Sequence, residues 1–184
     1  MTEEKTWQNK LTENRIIIIC GKLMAPQVAS IVSSLLELSA QNDKEDIKLY
    51  IGSTEAFYLD MLAIYDTMRS IPNDISGTCI DGANDYGALL LAACTKGKRY
   101  ALPHATISFE QPYGILSPGP NQQTEIAIEA KEVTNTRKVF EELMAEVTGQ
   151  DVAKIHTDCE FGVELSAEEA KAYGIIDRIL VKGE

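Results

Sequence analysis

The stretch CIDGANDYGALLLAAC, residues 79–94, decides the fold. An apolar strand reaching back to about residue 75 ends here, a turn of small residues follows, and a helix runs from about 86 to 96. Strand, tight corner and helix in succession are part of a βαβ unit. The corner is also where a hydrolase would present a nucleophilic serine. Asn84, Asp85 and Tyr86 stand there instead, so any chemistry has to be argued from a carboxylate.

The alternation continues on both sides. RIIIICG, from Arg15, is a β-branched run of the kind buried on both faces of a sheet. Residues 25–41 form a helix with Pro26 in its first turn and Val28, Ile31, Val32, Leu35, Leu36 and Leu38 at helical spacing. DIKLYIG at 46–52 is a strand, and FYLDMLAIYDTMRSI at 57–71 a helix ending near Pro72. Further strands are expected near 99–102 and 105–109, and the Pro/Gly-rich GILSPGPNQQ at 114–123 is a loop. A single helix of about 24 residues follows, roughly 36 Å long and ended by Gly149. Its apolar positions, Ile126, Ile128, Val133, Val139, Phe140, Leu143 and Val147, do not keep to one narrow stripe. Apolar surface beyond what one domain can cover points to self-association. VAKIHTDCEF is a short helix and turn, SAEEAKAYG a helix capped by Ser166 with Glu169, and IIDRILV a last strand. The expected architecture is one α/β domain over 1–184, a mostly parallel sheet with helices packed on it, preceded by a short polar segment, 1–14.

A net charge of −11 argues against nucleic acid or an anionic membrane as partner, since both call for clustered Lys and Arg. Four cysteines without CxxC spacing, three of them in apolar runs, read as reduced structural thiols. With only two histidines, no metal site is expected, and no cofactor. The N-terminal residues lack an apolar signal region and nothing approaches the length of a membrane span, so a soluble cytoplasmic protein is expected.

YDTMRSI, GALLLAACTKGKRYALPHATI, QPYG, IEAKEV, TGQ and SAEEAKAYGIIDRIL, in this order over about 13–182, closely resemble the matching blocks of ClpP, the serine peptidase of the Clp protease. The resemblance implies the ClpP/crotonase-like fold of βαβ repeats, with the long helix as the handle joining two heptameric rings. Active members carry a serine in a G-x-A-S-M-G-like turn, a histidine just before Q-P and an aspartate before S-A-E-E-A. Laid on this chain, those positions are Asp85, Glu110 and Gly162. Two carboxylates and a glycine supply neither the hydroxyl nor the imidazole that this acyl transfer needs. The resemblance also implies an oxyanion hole built by paired glycines and by the residue after the nucleophile. Those places hold Glu55, Ala56 and Tyr86, and a glutamate would bring negative charge towards an anion site. YGILSPGPNQQ, where a substrate strand would be held, is longer than usual and contains two prolines, which cannot donate ladder hydrogen bonds.

Asp85 then has two readings: a helix N-cap or first-turn acid, or one half of a pair with Glu110 that shares a proton. His104 and His156 read as structural. With these changes the chain is similar to the non-catalytic ClpR subunits of mixed Clp rings, so the expected partners are further copies of the chain, catalytic ClpP subunits, or both, in heptameric or tetradecameric rings. A Clp ATPase would dock weakly, on Tyr50, Ile80, Tyr100, Leu102 and Leu180, because Lys48, Ser70 and Thr78 stand where apolar residues are usual and the N-terminal segment is short for a pore-lining hairpin. Burying Lys48 there would cost several kcal/mol. The alternative is a crotonase-type acyl-CoA enzyme using Asp85 and Glu110 as acid and base.

Overall fold

The structure is a computed structural model and describes residues 7–114 and 119–181. Its elements in order are α1 (Trp7–Glu13), β1 (Ile16–Lys22), α2 (Ala25–Gln41), β2 (Ile47–Glu55), α3 (Tyr58–Ser70), β3 (Ile75–Cys79), β4 (Gly82–Asn84), α4 (Tyr86–Ala93), β5 (Arg99–Ala101), β6 (Thr106–Phe109), α5 (Gln123–Thr148), α6 (Val152–Phe161), β7 (Val163–Ser166), α7 (Ala167–Tyr173) and β8 (Arg178–Ile179). A parallel sheet runs in the order β1-β2-β3-β5-β8, and a smaller one in the order β4-β6-β7 has β6 and β7 antiparallel. This is the expected α/β architecture of βαβ repeats with a long helix.

The main sheet is covered on one face. Ile17, Ile19, Leu49, Ile51, Ile75, Cys79 and Ala101 point into the core with the buried residues of α2, α3 and α4. The isoleucine run is therefore not buried on both faces: β1 is an edge strand whose Ile18 is 37% exposed and whose Cys20 is exposed. A run of identical apolar residues hides the alternation that a one-sided strand imposes.

The expected strand over 75–81 is broken in two. The chain leaves the main sheet after Cys79, and Asp81 pins the step by accepting from the N–H groups of Ser53 (3.1 Å) and Gly82 (2.6 Å). β4 then enters the smaller sheet, which aims the corner at Asp85. Two elements were not expected. The polar N-terminal segment contains α1, its residues 1–6 lying outside the described ones, and β7 pairs with β6.

The long helix has 26 residues, about 39 Å at 1.5 Å per residue. Gly149 ends it at φ 79°, the left-handed conformation that glycine adopts cheaply. Its buried residues, Thr136, Phe140, Glu141, Met144, Ala145 and Val147, all lie in the second half, while Ile126 and Ile128 are 47% and 60% exposed in the first. The prolines of the preceding loop differ in standing: Pro120 is described, Pro118 lies outside the described residues. Ser166 and Glu169 form the expected capping box on α7.

Candidate functional site

Asp85 joins β4 to α4 at φ 48°, ψ −111°, a conformation rare for any residue but glycine. Such a backbone costs about 1–3 kcal/mol and persists only where its surroundings hold it. Here its N–H donates to the Ser108 carbonyl (2.8 Å) and its carbonyl accepts from Leu89 as the helix begins (3.0 Å). The Asp85 side chain stands at the N-cap position of α4 but caps nothing. Oδ1 instead accepts from the backbone N–H of Glu110 at 3.0 Å. The contact between these two positions is thus carboxylate to backbone, rather than one proton held between two carboxyl groups. Burial pushes the Asp85 carboxyl above its ordinary value; the Glu110 N–H pulls the other way, and the nearby Glu110 charge pushes it up again.

Gly162 completes the group. Phe109 pairs with Val163 across β6 and β7, so Glu110 and Gly162 follow opposite each other. A Cβ on Gly162 would lie 3.7 Å from Glu110 Cβ and 3.9 Å from its Oε2. The three positions Asp85, Glu110 and Gly162, scattered in sequence, are gathered at one corner. Gly162 sits at φ 70°, ψ 141°, a region nearly closed to residues with a Cβ.

The anion-stabilising positions look different from the expectation. Ser53-Thr54-Glu55 is no turn but the continuation of β2, with Thr54 paired to Gly21 and Glu55 to Lys22. The Glu55 carboxylate is exposed and lies 3.3 Å from Lys22 Nζ, so its charge is spent on the edge of the sheet. Ala56 packs half-buried on the core. Tyr86 lays its ring edge-to-face on Phe140 at 5.1 Å, and burial raises its phenol pKa first, with Asp85 adding to the effect.

Asn84, directly before Asp85, ties the corner to β2. Its side-chain amide accepts from the Thr54 N–H (3.0 Å) and donates to the Thr54 carbonyl (2.8 Å), filling both backbone valences at the end of β2. The one signal for this in the sequence is an amide side chain directly before Asp85.

His104 is exposed. His156 is more engaged than a surface residue: Nδ1 lies 3.0 Å from Oε1 of the buried Glu141 on α5. Arg137 reaches the same Glu141 oxygen (2.6 Å), Gln111 Oε1 (3.0 Å), the His156 carbonyl (3.1 Å) and Glu160 (3.0 Å), tying α5, α6 and the segment after Glu110 together. All four cysteines are free; burial pushes the Cys79, Cys94 and Cys159 thiols up to about 12, which removes their thiolate chemistry. Among the described residues no cluster of three or more His, Cys, Asp or Glu could hold a metal ion. No helix of the described residues is long and apolar enough to cross a membrane.

A second group of residues lies on the uncovered face of the main sheet. Strand register sets Ile18, Tyr50, Thr78, Tyr100 and Arg178 side by side, and the ladder carries on through Leu102 and Leu180. Leu102 is 37% exposed; Ile80 and Leu180 are half-buried. Lys48, two residues before Tyr50, is exposed, so the expected cost of burying its charge does not arise in the single chain.

The family model described as Clp protease matches residues 2–183, nearly the whole chain.

Proposed function

Since the chain belongs to the Clp protease family of serine peptidases, we propose that it is a non-catalytic, ClpR-like subunit with a structural or regulatory role in a ring-forming Clp complex. The observation that supports this most is the meeting of Asp85, Glu110 and Gly162 at one corner. A nucleophile, its base and the base's orienting acid would have to stand there, and a carboxylate, a carboxylate and a glycine include no hydroxyl to attack and no imidazole to take its proton. The Asn84 clamp on Thr54 and the ion pair of Glu55 support the same reading, because they bind the end of β2 into its sheet. The exposed Ile126 and Ile128 on the projecting half of α5 suit a helix that finds its cover in other subunits, of this chain or of a catalytic one. Tyr50, Ile80, Tyr100, Leu102 and Leu180 suit an apolar docking face for a Clp ATPase or adaptor.

The purified protein is expected to hydrolyse neither fluorogenic dipeptides nor casein, and to take no label from a serine-directed fluorophosphonate. Turnover that survives repurification and disappears in Asp85→Ala would overturn the proposal.

A further inference from the structure

Three helices end on one cavity. The last residues of α3, α4 and α5, with the start of β3, enclose about 380 Å³, the scale of a small-molecule site. Met68, Ile71 and Val147 give it an apolar wall, and the small side chains of Ala92 and Ala93 leave room beside them. Its polar groups are unevenly served. Lys96 is exposed and forms no ion pair among the described residues, so one positive charge at the cavity is unanswered. Arg69 and Glu146 face each other at 3.5 Å with more than half of each side chain in solvent, and a pair of that kind contributes little and parts readily. Asn73 is buried. Its amide nitrogen donates to the carbonyls of Asn42 (2.7 Å) and Glu45 (2.8 Å), which settles which end of the amide is which and leaves Oδ1 without a donor. Among the described residues, Oδ1 is the one buried side-chain polar atom without a hydrogen-bond partner. A buried acceptor in the wall of a cavity, with no donor in its own chain, calls for one from outside.

The cavity therefore asks for a donor, an anion and an apolar body in one small molecule. A simple carboxylic acid would answer Lys96 and leave Asn73 Oδ1 alone; a simple amine would do the reverse and bring a further cation beside Arg69 and Lys96. We propose that this cavity binds a free α-amino acid with an aliphatic side chain, of which leucine is the type. The carboxylate meets Lys96 and Arg69, the ammonium donates to Asn73 Oδ1 and to Glu146 once the Arg69 pair has parted, and the side chain lies on Met68, Ile71 and Val147. Such a ligand carries no net charge, so taking it up buries no uncompensated ion. The site is separate from the corner at Asp85, which opens α4, whereas the cavity lies at the other end of that helix.

Calorimetric titration of the full chain tests it with L-leucine and two relatives that each lack one charge, L-leucinamide without the carboxylate and isocaproate without the ammonium. Leucine should bind about tenfold more tightly than either, because each relative gives up one set of charged hydrogen bonds. Lys96→Glu should weaken leucine and make leucinamide the preferred ligand, a gain of binding that a misfolded protein could not show. Ile71→Trp, which fills the cavity, should remove the binding of all three. Isocaproate binding as tightly as leucine would overturn the role of the ammonium and the proposal with it, and so would the absence of heat from every ligand. Leucine binding left unmoved by both Lys96→Glu and Ile71→Trp would put the ligand somewhere else and overturn it as well. None of these outcomes depends on the peptidase assay, so the non-catalytic reading stands or falls separately.

Discussion

At the C-terminal end of α4 the buried Arg99 donates from Nη1 to the carbonyls of Ala92, Val147 and Gly174, and clasps Asp177 through Nε (3.0 Å) and Nη2 (2.6 Å). One cation thus answers the exposed carbonyls at the ends of α4, α5 and α7, where helix dipoles favour positive charge. At the N-terminal end of the same helix Asp85 stands in a strained conformation with a side chain that caps nothing. The first end is satisfied several times over; the second is strained and uncapped. The difference teaches that the corner is held from a distance. Its backbone is fixed by β6 through Ser108 and by the start of α4 rather than by the Asp85 side chain.

The largest effect should follow from cutting the satisfied end. Arg99→Met leaves the partly buried Asp177 carboxylate with backbone donors but no countercharge and takes the guanidinium donor from three helix-end carbonyls, and should cost about 3–5 kcal/mol, read by urea denaturation. Burial pushes Asp177 up, but the side-chain and backbone hydrogen bonds of Arg99, its charge and the Gly97 N–H together carry it below the ordinary carboxylate value. Its stabilisation is therefore full above that ordinary value and is lost as pH falls through the lowered one. Arg99→Met should flatten the wild-type fall in stability on the acid side. A loss below about 1 kcal/mol would mean that this end does not anchor the fold, and the contrast would break.

A smaller effect is expected at the corner itself. Gly162→Asp, which restores an acid opposite Glu110, must place a Cβ at φ 70°, ψ 141°, at a cost of about 1–3 kcal/mol. The triple change Asp85→Ser, Glu110→His and Gly162→Asp should for this reason be less stable than the wild type and remain almost without peptidase activity, since Asn84 still binds Thr54 and Glu55 still continues β2. Dipeptide cleavage by that variant within about tenfold of an active family member would mean that the corner had kept its machinery, because one missing oxyanion donor alone costs about 10²–10³ in rate.

Much of the fold is written in local signals. The capping box at Ser166, the stop at Gly149 and the spacing along α2 are each decided by neighbours a few residues away, and each stands where the sequence implies. What the sequence hides depends on distant partners. The exposure of Ile18 is set by its place on the uncovered face of an edge strand, and β7 by pairing with β6, neither of which has a periodic signature of its own. The same holds at the site. The resemblance singles out Asp85, Glu110 and Gly162, which the fold brings together, yet the reach of Asn84 to Thr54, thirty positions away, and of His156 to Glu141 belongs to the tertiary fold alone.

The smallest effect is also the sharpest test of the strained end. Burial, with the Glu110 charge, raises the Asp85 carboxyl, and the Glu110 N–H offsets this only in part. The folded state therefore holds this proton more tightly than the unfolded chain does. The contribution of Asp85 to stability is full below the ordinary carboxylate value and is lost as pH rises through the raised one. In Asp85→Asn the side-chain carbonyl can still accept from the Glu110 N–H, but no charge has to be desolvated. The variant should gain on the wild type as pH climbs from about 4 and level off by neutrality, where it should be more stable by no more than about 1 kcal/mol. Thermal denaturation of the two proteins across that range measures the difference directly. The opposite trend, with the wild type gaining as its carboxylate ionises, would mean that the N-terminus of α4 welcomes the charge as an ordinary cap does. Asp85 would then be a satisfied residue, and the two ends of the helix would differ in wiring but not in strain.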